Sequence, residues 1–195
     1  MTRFWVLLLG GASLLGLPER GQAGSIDVAI SGPQIQVSGK VLPLGKHPDS
    51  TYDEILGPHS HRGDNGSLYW AHLGIGLERR RGPSDNCAVI FKVHLTGKPN
   101  TYLGTGMGFA ELAPFTGQIA VEGVPVGYDR NLPELKAATG KWAVASPFGY
   151  QYQPPGSPAV YVLAYLEYQR RTAYVSSVEV TIKDFDEFCG KSMAP

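Results

Sequence analysis

Three histidines set the first chemical question. His59 and His61 form a His-x-His pair, His72 follows eleven residues later, and Asp64 lies between. Residues two apart on an extended segment point the same way, so both imidazoles of the pair would reach one ion. His72 would add a third nitrogen from the polar face of the following strand. Three neutral imidazoles with one open position suit zinc or copper, which makes His59, His61 and His72 the candidate metal ligands. The competing reading is a solvated loop, because Pro58, Gly63 and Gly66 punctuate the same stretch.

A second constellation is aromatic. Phe148, Tyr150 and Tyr152 fall on one side of an extended chain, beside Gln151 and Gln153. Such side chains stack on sugar rings or grip a Pro-rich peptide, because they offer area and hydrogen bonds at little entropic cost. They are the candidate ligand-binding residues; the alternative is an aromatic loop folded over the edge of the core.

Other signals carry less chemistry. Gly104-Thr105-Gly106-Met107-Gly108 lacks the spacing and the following helix that a phosphate loop requires. Arg79-Arg80-Arg81 and Arg170-Arg171 are expected at opposite ends of the sheet. That is too far apart for one anion patch, and the first run would be partly neutralised by Asp184, Asp186 and Glu187. Arg62-Gly63-Asp64 spells an integrin tripeptide, and Asn65-Gly66-Ser67 a glycosylation sequon. Gly-x-Ser-x-Gly, His-Glu-x-x-His and catalytic-cysteine arrangements are all missing, so no catalytic residue is assigned.

The elements that must position these residues begin after a leader. Arg3, the short apolar stretch Phe4 to Leu17, and Gly21-Gln22-Ala23 have the layout of a secretory signal peptide over residues 1–23. That apolar stretch is shorter than the roughly 20 residues a membrane span needs. Cleavage would start the working chain at Gly24 or Ser25, leaving one domain over 24–195 with 15 basic and 16 acidic side chains. Near-neutral charge gives no support for nucleic-acid binding. Charged residues are 17% of the chain, against about 25% in an average protein, so Ser, Thr, Asn, Gln and Tyr must carry the surface polarity. In an oxidising compartment the two cysteines, Cys87 and Cys189, are expected to form a disulfide.

Strand-like runs recur between Gly, Pro, Asn and Asp punctuation. They are Ile26 to Ile30, Gln34 to Val37, Leu68 to Leu77, Ala88 to Leu95, Gln118 to Val126, Trp142 to Ala145, Ala159 to Tyr168 and Tyr174 to Ile182. Val89, Phe91, Val93 and Leu95 alternate with Lys92 and His94; Val178, Val180 and Ile182 alternate with Ser177, Glu179, Thr181 and Lys183. This period of two predicts sheets with one wet face. Short helices are expected over Asn131 to Gly140, which has cap signals, and over Ser50 to Leu56; Gly39 to Gly66 otherwise reads as a surface excursion.

The pattern predicts an all-β antiparallel sandwich, jelly-roll-like, with one or two short helices and a β-barrel as runner-up. The expected function is a non-enzymatic, exported protein, periplasmic, envelope-associated or extracellular, that binds a glycan, a peptide or a partner protein. Two alternatives stand beside it. One is a small metal-binding protein or metalloenzyme using His59, His61 and His72. The other is a structural subunit of a cell-envelope assembly, its edge strands paired to neighbours.

Overall fold

The computed structural model describes residues 26–32, 34–79, 86–96, 112–128, 143–146, 149–152, 160–169, 172–182 and 188–189. The expected leader, the Gly-rich run, the helix expected over Asn131 to Gly140, Phe148, Arg80, Arg81, Arg170, Arg171 and the carboxylates Asp184, Asp186 and Glu187 lie outside them.

Two sheets form an all-β fold. The smaller contains β1 (Val28–Ser31), β2 (Gln34–Val37), β3 (Lys40–Leu42), β9 (Ile119–Val121) and β10 (Val124–Val126), in the order β10-β9-β1-β2-β3. The larger runs β11 (Ala143–Ser146), β12 (Gly149–Tyr152), β13 (Val160–Gln169), β14 (Thr172–Ile182), β8 (Cys87–His94), β7 (Ile75–Arg79), β6 (Leu68–Trp70), β5 (His61–Arg62), with β4 (Gly45–Lys46) paired to β8. Pairing is antiparallel except between β1 and β9.

Alternation explains the core. Val28, Ile30, Ile35, Val37, Leu42, Ile119, Val121 and Val126 turn inward from the small sheet. They meet Leu68, Trp70, Ile75, Leu77, Phe91, Val93, Val178 and Val180 of the large one in a single buried cluster. Removing that apolar area from water supplies most of the driving force.

Two expected strands are each two strands and a turn. Leu68 to Leu77 breaks at a 3-10 turn, Ala71–Leu73, closed by Gly74 with φ 68. Only a residue free to adopt left-handed backbone reverses the chain there, and the carbonyl of Gly74 then accepts the His94 N–H at 2.8 Å. Gln118 to Val126 turns at Glu122 and Gly123, with φ 52 and 77, the positive pair that matches the twist of a hairpin.

The stretch 39–66 is not only surface. It contributes β3, β4, β5 and helix α1 (Asp49–Leu56), which ends at Gly57. Tyr52 and Leu56 on α1 are buried in the core, one turn apart as an amphipathic helix requires.

Cys87 and Cys189 form the expected disulfide, with Cα atoms 5.6 Å apart and a sequence separation of 102. The bond ties the chain's tail to the start of β8. Closing so long a loop in the unfolded chain removes entropy worth about 4–5 kcal/mol. Cys189→Ser should therefore lower the melting temperature by several degrees; an unchanged melting curve would show that the crosslink contributes nothing.

Candidate functional site

The three histidines take separate surroundings. His59 follows α1; its N–H donates to Asp53 Oδ1 at 3.0 Å, and its Nδ1 lies 3.0 and 3.1 Å from the two Asp53 carboxylate oxygens. Its ring meets Trp70 edge-on, centroids 6.3 Å apart. His61 sits opposite Tyr69 and stacks on it at 6.1 Å. Tyr69 and Trp70 are consecutive on β6 and present opposite faces, so the two imidazoles of the pair contact opposite sides of one strand. Ser60 sets this up: its hydroxyl donates to the Tyr69 carbonyl at 2.9 Å and accepts the Ala71 N–H at 2.7 Å. His72 lies exposed in the 3-10 turn. Among the described residues no group of three or more His, Cys, Asp or Glu is arranged to hold a metal ion.

Tyr150 and Tyr152 belong to strand β12 and not to a loop. Register puts Tyr150 in a row with Ala164, Val178 and Val93, and Tyr152 in a row with Val162, Val180 and Phe91. The β8 and β14 members of those rows are buried in the core.

Arg79 ends β7 after a register shift and is 2% exposed. Its guanidinium pairs with Asp49 at the start of α1, which Arg62 also engages, and donates to Asn86 at 3.3 Å. The helix is thus anchored to the large sheet by a carboxylate shared between two arginines. Nearby Tyr52 has its phenol pushed up to about 12 by burial, with the Arg79 charge acting against it. Asn65 is drawn into the same corner: its amide donates to the Arg79 carbonyl at 3.4 Å and its oxygen accepts the Ser67 N–H at 3.1 Å.

Two surfaces remain with chemistry to assign. The outer face of the small sheet forms a row across all five strands. Pro125 pairs with Ala120, Ala120 with Ala29, Ala29 with Gln36, and Gln36 with Val41. Ser31 and Gln34 extend it. None of these seven is charged, and Val41, 54% exposed, is the large hydrophobic residue that stands out among the described ones. Lys40 beside it is turned away, donating to the Glu54 carbonyl at 3.2 Å. The row is made of uncharged residues, and Asp27, two residues before Ala29, lies at its edge.

The second surface is polar and buried. On β8 and β14 the side turned away from the small sheet was expected to be wet, yet Lys92, His94, Ser177 and Glu179 are 1%, 2%, 1% and 4% exposed. Lys92 stands opposite Glu179, and His94 opposite Ser177. Lys92 Nζ and Glu179 Oε2 are 3.4 Å apart, and the Thr181 hydroxyl donates to Glu179 Oε1 at 2.7 Å. Across β7, Gly76 flanks Lys92 and leaves room for the Tyr69 ring, which lies 3.2 Å from where a Cβ would sit. Burial, and then the Glu78 charge, push the Tyr69 phenol up to about 12. Burial raises the Glu78 carboxyl, with Glu179 adding to the rise and Lys92 opposing it. Burial lowers the Lys92 ammonium despite both glutamates. The sequence marked these positions by alternation but held no signal of their burial.

No protein-family model, no curated protein and no solved structure matches the chain.

His94 is held down to about 3, by burial first and by the Lys92 charge second. It stays neutral in the folded protein while its unfolded counterpart takes up a proton below about pH 6.5. Its contribution to stability is therefore present above that pH and is lost as pH falls toward 3, at up to about 1.4 kcal/mol per pH unit. Denaturant titrations of His94→Gln should show a shallower loss across that window than the parent; parallel slopes would show that His94 protonates freely in the fold.

Proposed function

We propose that the chain is an exported, non-enzymatic binding module that docks a partner protein through the outer face of its five-stranded sheet. The observation that carries this reading is the uncharged row Pro125, Ala120, Ala29, Gln36 and Val41, on strands whose other side is core. Interface centres are depleted of charge, because each ionised group must be desolvated before contact.

Export draws on two independent features. The pattern of residues 1–23 is that of a cleavable leader, and the Cys87–Cys189 disulfide suits an oxidising environment. No helix among the described residues is long and apolar enough to cross a membrane. The partner reading is preferred over a glycan platform because the register of β12 aligns Tyr150 and Tyr152 with rows whose β8 and β14 members are core.

A photoreactive residue at position 36, introduced into the full-length chain in its own host, should give discrete protein adducts. One at position 64, in the exposed turn before β6, should not. Ala29→Arg should abolish the adduct, and the recovered chain should begin at Gly24 or Ser25. Adducts at twice the chain mass would make the partner a second copy. Equal labelling from both positions, or none from position 36, would overturn the reading.

A further inference from the structure

β7, β8 and β14 lie side by side, and on their buried polar side they bring an amine and two carboxyls together. Lys92 and Glu179 are direct cross-strand neighbours, with Nζ 3.4 Å from Oε2 and side chains 1% and 5% exposed. That contact sets the amine directly beside the carboxyl group whose carbon it would attack. Glu78 lies two residues beyond Gly76, the β7 neighbour of Lys92, and so occupies the same side of the sheet. The two oxygens of Glu179 have different surroundings: Oε1 receives the Thr181 hydroxyl at 2.7 Å, while Oε2 faces the amine.

An ion pair is a costly way to fill this place. Each charge taken out of water loses several kcal/mol of solvation, and mutual attraction restores that only where the remaining hydrogen bonds are complete. An amide between the same two side chains carries no charge. Forming one requires a deprotonated amine, a proton carrier within reach, a donor for the developing oxyanion and little competing water. Burial holds the Lys92 ammonium below the ordinary lysine range, and burial with the Glu179 charge keeps the Glu78 carboxyl above the ordinary carboxylate range. The neighbouring His94 is neutral and adds no competing charge.

We propose that Lys92 and Glu179 condense into an intramolecular isopeptide bond in the mature protein, with Glu78 carrying the proton. The Nζ lone pair attacks Cδ of Glu179. Oε1 takes the negative charge of the tetrahedral intermediate against the Thr181 hydroxyl. Glu78, entering as the neutral acid, gives its proton to Oε2 as Nζ attacks; as a carboxylate it then accepts a proton from Nζ and delivers it to the same oxygen. The Cδ–Oε2 bond then breaks and Oε2 leaves as water. One C–N bond forms, one C–O bond breaks, one water departs, and nothing is oxidised or reduced. The two buried charges disappear with the reaction, and the closed site keeps water from returning. β8 would then be crosslinked twice, to the chain's tail by sulfur at Cys87 and to β14 by the amide.

This inference is independent of the docking face, and its test reads mass, not binding. The denatured, reduced mature protein should weigh one water less than its sequence. Fragmentation should yield a branched peptide joining the segments that hold Lys92 and Glu179. Lys92→Met and Glu78→Gln should each restore the full sequence mass. The parent measurement needs no variant, so misfolding of either substitution leaves the proposal falsifiable. A parent chain of full mass, with both segments recovered as separate linear peptides, would overturn it; so would a deficit that survives in Lys92→Met.

Discussion

Strand β8 is the constraint on which the rest of the molecule depends. It pairs with β7 on one side and β14 on the other, and its first residues also carry β4. Phe91 and Val93 face the small sheet from full burial, and Lys92 and His94 are equally hidden on the other side. A strand enclosed on both faces tolerates neither a register slip nor a change of side-chain size, because a shift by one residue would put Lys92 and His94 where Phe91 and Val93 pack. Its first residue holds the disulfide, so the tail is fixed to the strand that pairs with β4, β7 and β14.

The polar side of β8 and β14 shows what a low-dielectric setting does to ordinary residues. Lysine, glutamate and histidine departing from their usual ionisation all follow from one cause, the loss of water around them. Neighbouring charges modify that effect without reversing it. The Arg79 corner is the contrast: there a buried guanidinium meets Asp49, and the pair fastens α1 to the sheet. One polar cluster holds the architecture together, while the other concentrates reactive groups in a place where they are expensive to leave ionised.

The small sheet works in the opposite sense. Its inner residues are Val, Ile and Leu, and its outer row is alanine, glutamine, proline and valine. The strands are short and the turn at Glu122 and Gly123 is tight, so the face is held by the core behind it and not by its own side chains. A rigid backing with an uncharged front loses little entropy on association. The proposed docking role rests on that property.

Alternation alone determined much of this protein. Ile26 to Ile30, Gln34 to Val37, Ala88 to Leu95, Ala159 to Tyr168 and Tyr174 to Ile182 read as strands, Ser50 to Leu56 as a short helix closed by Gly57, and the cysteine pair as a crosslink, and the structure holds each of them with bounds shifted by a few residues at most. These are local signals, set by backbone preference and by the side of the pleat a residue takes. Tertiary structure alone decided that Leu68 to Leu77 would fold back at Gly74, that His59 and His61 would meet different faces of β6, and that Arg79 would be buried against Asp49. It also decided that Lys92 and Glu179 would face each other without water. Period two tells which residues share a face but not what lies against it, and burial, not spacing, sets the chemistry of a charged side chain.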